Sequence, residues 1–89
     1  MTNDETPILL RYELSPHEAP SEGVYFALAT LLHRSPLDLD PLDDAVDPDA
    51  LDALFRRRRG GELRSVEFEY LGYKICVCAT EIQIHRSSP

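Results

Sequence analysis

The chain has only one lysine, only two cysteines and no long hydrophobic run. Its longest apolar stretch is short and interrupted, which argues against a membrane span, and its acidic N-terminus lacks the basic region and apolar stretch of a signal peptide. Cys76 and Cys78 are one residue apart on a predicted strand, so they cannot easily bridge to each other. These absences predict a cytoplasmic protein in a reducing compartment.

Positive charge is scarce as well. The formal net charge is −7, and the basic residues are eight arginines and Lys74. This composition indicates a salt-loving host, where acidic side chains hold water and cations and where screening removes much of their mutual repulsion. It also argues against general DNA coating. The concentrated positive charge is the run Arg56, Arg57, Arg58 and Arg59, which leaves nucleic-acid binding open as an alternative function.

Length and hydrophobic content predict a single folded domain. Eighty-nine residues are enough for one domain and too few for two. A hydrophobic fraction of 43% is sufficient for a packed core despite seven prolines. We predict one domain over residues 7–86, with frayed ends at 1–6 and 87–89.

The most regular pattern is VEFEYLGYKICV, which alternates strictly around Leu71-Gly72. A tight turn at these two residues puts six apolar residues of the two strands on one face, because cross-strand partners share a face. The predicted apolar pairs are Tyr70 with Tyr73, Phe68 with Ile75 and Val66 with Val77. On the opposite face, Glu69 is paired with Lys74.

A second turn, predicted at Thr80-Glu81, adds a third strand and gives a meander over roughly 64–85. It sets Ala79 opposite Ile82 and Val77 opposite Ile84, again apolar on apolar. On the other face, the same register pairs Cys76 with His85 and Cys78 with Gln83.

A fourth strand is predicted near the N-terminus, in ILLRYEL. Its apolar face consists of Ile8, Leu10, Tyr12 and Leu14. Arg11 and Glu13 lie on the other face. The alternation determines the face but not the neighbour, so this strand could lie beside the second or the fourth strand.

Two helices are predicted between the strand regions. SEGVYFALATLLHR has apolar residues at helical spacing, with Ser21 placed to cap it. DPDALDALFRR starts with Asp47-Pro48, a strong N-cap signal, and is predicted to stop at Gly60-Gly61. Its predicted apolar stripe consists of Leu51, Leu54 and Phe55. Ser35-Pro36 and Pro41 predict short helical turns between the two helices.

Together these elements predict an α+β fold. The expected architecture is a two-layer sandwich in which a four-stranded, mostly antiparallel sheet, in the chain order β-α-α-β-β-β, carries both helices on one face.

Seven aspartates between residues 38 and 52 raise the question of a metal site. The stretch lacks the central glycine and the terminal bidentate glutamate of an EF-hand. Asp47, Asp49 and Asp52 are instead placed near the positive end of the second helix dipole. We interpret the aspartates as helix caps and acidic surface, and predict neither a metal ion nor a cofactor.

Other chemistry has little support in the sequence. Cys76, Cys78 and His85 are predicted on the face away from the helices and could bind zinc or form a redox pair, but their spacing is not that of a metal site, which favours free thiols. The histidines are scattered, and no glycine-rich phosphate loop or nucleophile elbow is present. We therefore expect a protein that is not an enzyme.

Two motifs in sequence order resemble a known family. PLDDAVDPDALDALF, followed by a glycine-ended break and VEFEYLGYKICV, is similar to the halobacterial output domain, a small haloarchaeal module. The resemblance covers roughly residues 8–85. It implies a cytoplasmic haloarchaeal protein, alone or attached to signalling modules, with a regulatory or interaction role.

We therefore predict a non-enzymatic regulatory or protein-interaction module that binds a protein partner, or a second copy of itself, through the open sheet face. The candidate contact residues are Leu9, Arg11, Lys74, Cys76, Cys78 and His85. Neither a membrane nor a small-molecule substrate is expected. The alternative is a regulator that binds nucleic acid through Arg56 to Arg59.

Overall fold

A four-stranded sheet and two α-helices make up the computed structural model, which describes residues 7–56 and 65–87. In chain order the elements are β1 (Ile8–Glu13), α1 (Pro20–Leu32), α2 (Pro48–Arg56), β2 (Val66–Tyr70), β3 (Tyr73–Val77) and β4 (Glu81–Arg86). Short 3-10 turns at Pro36–Asp38 and Leu42–Asp44 connect the helices, where Ser35-Pro36 and Pro41 predicted them. The predicted α+β fold is confirmed. The predicted frayed residues 1–6, 88 and 89, and the stop signal Gly60-Gly61, lie outside the described residues.

The strands are antiparallel throughout and lie in the order β1-β4-β3-β2. The first strand is therefore the neighbour of the fourth, which settles the question that the alternation left open. β1 and β2 form the two edges of the sheet among the described residues.

The β2–β3 hairpin has the predicted register at every position, from Val66 opposite Val77 to Tyr70 opposite Tyr73. Its two turn residues both have positive φ, 56° at Leu71 and 83° at Gly72. Positive φ at both central positions is the geometry of a type I′ turn, whose twist matches that of the flanking strands. Glycine adopts it freely, while the conformation is unusual for leucine.

The β3–β4 register differs from the prediction by two residues. Val77 lies opposite Ile82, and Ile75 opposite Ile84, because the chain reverses at Ala79-Thr80 instead of Thr80-Glu81. Cys78 N–H donates to the Glu81 carbonyl at 2.9 Å and closes this turn. The predicted register would have set Ile75 opposite Arg86, whereas the observed one pairs the isoleucines and leaves Arg86 opposite Tyr73 at the end of the ladder.

The beginning of β1 also departs from the prediction. The register shifts between Ile8 and Leu10, so Ile8 lies opposite His85 and is 39% exposed. A bulge of this kind places two residues of one strand against one of its partner, which breaks the simple alternation. Ile8 is therefore not part of the core face, whereas Leu10 and Tyr12, opposite Ile84 and Ile82, are packed against the core.

Helix α1 packs on the sheet through Gly23, Val24, Ala27 and Leu28, all buried. A Cβ at Gly23 would lie 2.4 Å from Leu14 Cδ2 and 2.8 Å from Ile82 Cδ1, so this glycine permits the close approach of helix and strands. The buried core combines both layers. Its members are Val24, Ala27, Leu28, Leu42, Leu51, Tyr70, Ile75, Val77, Ile82 and Ile84.

The predicted cap of α1 is wrong. The helix begins at Pro20, with Ala19 as the N-cap, because proline fits the first helical position, where its missing N–H costs nothing. Ser21 consequently lies inside the first turn. Its N–H and hydroxyl donate to the Asp52 carboxylate of α2 at 2.8 and 2.7 Å, so this aspartate joins the two helices.

Helix α2 begins as predicted. The Asp47 carboxylate accepts from the Asp49 and Ala50 N–H groups at 3.1 and 3.4 Å, with Pro48 at the first position. α2 packs mainly against α1, with Leu51 buried. Leu54 was predicted in the apolar stripe of α2, but it is 52% exposed. The surface of α2 that is buried therefore includes Leu51 and not Leu54.

Replacing Asp47 with alanine should lower the free energy of unfolding by about 1 kcal/mol, because the first turn of α2 loses its side-chain cap. Asp49→Ala is the matched control, since Asp49 is exposed and caps nothing. Urea denaturation of both variants measures the difference. Equal effects of the two substitutions would contradict the capping role.

Two tyrosines attach the connection between the helices to the rest of the fold, Tyr25 to α1 and Tyr70 to the sheet. Tyr25 and Tyr70 meet edge to face, with ring centroids 6.3 Å apart. The Tyr25 hydroxyl accepts from Leu42 N–H at 2.6 Å, and the Tyr70 hydroxyl donates to the Asp40 carbonyl. Burial is the main cause that raises the pKa of Tyr70, so its hydroxyl keeps the donated proton even in alkaline solution where an exposed tyrosine ionises. These bonds hold Leu42 in the core.

Candidate interaction surface

The sheet face opposite α1 carries rows of side chains that run across the strands, and we call it the outer face. One row consists of Glu69, Lys74, His85 and Ile8. The next consists of Glu67, Cys76, Gln83 and Arg11. The last consists of Cys78, Glu81 and Glu13. All the predicted contact residues on β1, β3 and β4 belong to this face or to the bulge beside it.

Charges of both signs are distributed over the outer face. Arg11 Nε lies 3.5 Å from Glu81 Oε2, and Gln83 Nε2 donates to the same oxygen at 2.5 Å. Lys74 lies between Glu69 and His85 in its row, and Ser87 Oγ donates to Glu69 at 2.9 Å. Exposed ion pairs contribute little to stability, about 0–1 kcal/mol, so these charges add little to the stability of the fold.

Leu9 and Ile8 supply the apolar part of this surface. The bulge leaves them 36% and 39% exposed at the edge of the sheet. Two adjacent, half-exposed aliphatic residues beside a polar face resemble the mixed composition of transient protein interfaces.

The two thiols are in contact, with 3.9 Å between Cys76 Sγ and Cys78 Sγ. Cys76 is on the predicted face but only 8% exposed, because it lies on a central strand between Glu67 and Gln83. The predicted pairing of Cys76 with His85 is wrong, since His85 lies opposite Lys74. In the part of the chain that the structure describes, no three histidine, cysteine or acidic side chains come together to hold a metal ion.

Burial, and then the neighbouring Cys76, raises the pKa of Cys78 to about 11. The raised pKa favours the protonated form of Cys78, which is the poor nucleophile.

We expect alkylation of Cys78 at pH 8 to be roughly 100-fold slower than that of an ordinary thiol, since two pKa units lower the thiolate fraction by that factor. The rate should rise about tenfold per pH unit up to about pH 10 and then level off as the thiol ionises. Mass spectrometry of iodoacetamide-treated protein measures it, with urea-unfolded protein as the control. Native and unfolded protein reacting at the same rate would contradict this description of the thiols.

The arginine run of the nucleic-acid alternative lies largely outside the described residues. Arg57, Arg58 and Arg59 lie beyond the described residues, and of Arg56 only the backbone at the end of α2 is described. Nucleic-acid binding through this run therefore stays a prediction.

An open cleft of about 610 Å³ lies between the loop before α1, helix α2 and the β3–β4 turn. Its lining includes Leu14, His17, Glu18, Asp52, Phe55 and Thr80. The two carboxylates are already engaged: Asp52 by Ser21, and Glu18 by the Tyr12 hydroxyl at 2.6 Å and Ser15 N–H at 3.0 Å. The bond to Glu18, together with burial, raises the pKa of Tyr12 to about 12. These polar groups hold the loop before α1 in place.

Comparison with known families supports the resemblance noted in the sequence. The family model for Halobacterial output domain 1 matches residues 16–86, most of the chain. The chain belongs to this family. Neither the comparison with curated proteins nor the comparison with solved structures found a match.

In this halobacterial output domain, the matched residues begin after β1. β1 nevertheless pairs with β4 along its length, so the outer face extends beyond the family match. No helix among the described residues is long and apolar enough to cross a membrane.

Sequence reasoning missed the Ser21–Asp52 contact and the bulge at Ile8. The contact joins residues 31 positions apart in the sequence. The sequence pattern predicted only that the Asp52 carboxylate interacts with the dipole of its own helix. The second has no proline or glycine within the strand to mark it.

Proposed function

We propose that this halobacterial output domain is a non-enzymatic regulatory module of haloarchaeal signalling, which binds a partner protein in the cytoplasm through its outer face. The observation that carries the proposal is the outer face itself: α1 packs on the opposite side, α2 packs against α1, and no described element covers these rows.

The composition of the outer face supports a reversible protein contact. Ile8 and Leu9 offer apolar area at one edge, while Arg11, Glu69 and Lys74 offer charges of both signs. Non-obligate interfaces are about as apolar as the rest of a protein surface and gain specificity from complementary charge. A partner with its own mixed charges fits this pattern.

The proposed role requires no chemistry from the domain. Its thiols are in mutual contact, with Cys78 held in the protonated form, and Asp52 and Glu18 each accept two hydrogen bonds within the fold. These groups act as structural parts, and the proposed output is a binding event.

Affinity capture from a haloarchaeal lysate tests the proposal. The wild-type domain should retain a protein partner at molar salt, where acidic repulsion is screened and apolar burial is favoured. Leu9→Asp should abolish that capture. Leu37→Asp is the matched control, because Leu37 is 93% exposed in the connection between the helices, and it should capture as the wild type does.

The nucleic-acid alternative predicts a different result in the same experiment. Phosphate contacts release counterions, so binding through Arg56 to Arg59 should weaken steeply as salt rises. Nuclease-sensitive material that is lost on replacing these arginines would overturn the proposal, as would capture that Leu9→Asp and Leu37→Asp reduce equally.

A further inference from the structure

The edge of the sheet formed by β1 has a defined set of unpaired backbone groups. Leu14 N–H donates to the Thr80 carbonyl, which continues the register that sets Tyr12 opposite Ile82. Peptide groups alternate in direction along an antiparallel strand, so the N–H and C=O groups of Leu10, Tyr12 and Leu14 point to β4. Those of Arg11 and Glu13 point away from the sheet, and both residues are exposed.

The charges on this edge are unbalanced within one copy of the chain. Glu13 lies directly opposite Glu81, in a pair whose Cα atoms are about 4.5 Å apart in such ladders. Arg11 pairs with Glu81, and no cation of the described residues pairs with Glu13. Like charges directly opposite each other destabilise a sheet.

We propose that two copies of this chain pair antiparallel through β1, with a two-fold axis at Tyr12. Arg11 of each copy then lies opposite Glu13 of the other, and the outward N–H and C=O groups of these two residues bond across the axis. The same register sets Leu10 opposite Leu14 and Tyr12 opposite Tyr12, which are favourable cross-strand pairs. Each Glu13 gains a cation partner that no described residue of its own copy provides.

The two neighbouring two-fold pairings of β1 oppose like charges. An axis at Arg11 or at Glu13 sets that residue against itself. At the opposite edge of the sheet, the outward peptide groups of β2 belong to Glu67 and Glu69. The two-residue turn makes Tyr70 and Tyr73 a hydrogen-bonded pair, so the peptide groups of Tyr70, Phe68 and Val66 point to β3. Axes at Glu67, Phe68 and Glu69 all place glutamate opposite glutamate. Charged edges of this kind prevent edge-to-edge association. Self-pairing is therefore disfavoured at the β2 edge and favoured at the β1 edge.

The pairing joins two sheets of four strands into one continuous sheet with the two outer faces on the same side. It uses the edge of β1 and leaves the rows of β3 and β4 uncovered. Arg11 belongs both to this edge and to the outer face, but the dimer is tested by the mass of the domain alone and the proposed function by capture of a partner, so the failure of one is distinguishable from the failure of the other.

Sedimentation equilibrium at about 0.1 M salt, where charges about 10 Å apart still interact, tests the pairing. The wild type should show twice the 10.1 kDa mass of the chain. Arg11→Glu and Glu13→Arg should each show the single mass, because each sets like charges opposite each other. An equimolar mixture of the two variants should recover the doubled mass, since both carboxylates of one then meet both guanidinium groups of the other.

Lys74→Glu is the control and should keep the doubled mass, because it makes the same charge change as Arg11→Glu on β3, a strand that is paired on both sides. Hydrogen exchange of the wild type gives a second test that needs no variant: the amides of Arg11 and Glu13 should become protected as the concentration rises. A wild type that stays at 10.1 kDa with both amides unprotected would overturn the pairing. So would single variants that stay dimeric, or folded variants whose mixture stays monomeric.

Discussion

Replacing Ile84 with alanine should lower the free energy of unfolding by about 3–4 kcal/mol. Ile84 is fully buried on β4, between Ile75 of β3 and Leu10 of β1, and faces the core that α1 covers. The substitution removes buried methyl groups and leaves a cavity that the surrounding sheet cannot close. For a domain of this size, such a loss is a large part of the total stability.

Ile8→Ala provides the matched control, since it makes the same change in the same sheet at a residue that is 39% exposed. Its cost should be about 1 kcal/mol or less. Chemical denaturation with two probes, circular dichroism and tyrosine fluorescence, measures both. If the two substitutions cost the same, the assignment of the two sheet faces is wrong.

Asp52→Ala should cost about 2–3 kcal/mol, the second largest loss that we expect. The carboxylate accepts from Ser21 N–H and Ser21 Oγ at 2.8 and 2.7 Å, so its removal leaves two part-buried donors of α1 without their partner. Hydrogen bonds to a charged acceptor are about twice as strong as neutral ones.

A double-mutant cycle with Ser21→Ala separates this contact from other effects of the substitution. The loss from Asp52→Ala should shrink in the Ser21→Ala background, because the hydroxyl bond is already gone. Asp49→Ala, on the same helix, should cost about 0.5 kcal/mol or less. Strict additivity of the Ser21 and Asp52 substitutions would show that the two residues do not interact.

The sequence predicted the β2–β3 hairpin fully because two independent signals agree there. Alternation assigns a face to every residue from Val66 to Val77, and Leu71-Gly72 is the only turn signal inside it. A one-residue slip would have put apolar residues opposite charged ones, so the register had no near competitor.

The β3–β4 register was predicted wrongly because its alternatives differ by two residues. A shift of two keeps every side chain on its face, so Val77 meets an isoleucine in either case. The signal at the turn is weak, since Ala79 and Thr80 are not typical turn residues. The correct register is distinguished only by the whole β3–β4 ladder, in which it pairs both Ile82 and Ile84 with apolar residues of β3.

The candidate site was predicted by face but not by exposure. The alternation of side chains along β3 places Cys76 on the outer face. Its exposure, however, depends on Glu67 and Gln83 on the neighbouring strands. Ile8 is exposed because of a bulge, and strict alternation of side chains cannot predict a bulge. Both features arise from neighbours in space, which a single strand pattern does not contain.

The central claim, that the outer face is where a partner protein binds, is tested most directly by mapping the contact. Amide shifts of isotopically labelled domain should be recorded by NMR while the captured partner is added. We expect the largest changes in the outer-face rows and the bulge, at Leu9, Arg11, Lys74 and Gln83, with α1 unchanged. Changes confined to the two helices or to Arg56 to Arg59, with these rows unaffected, would contradict the claim.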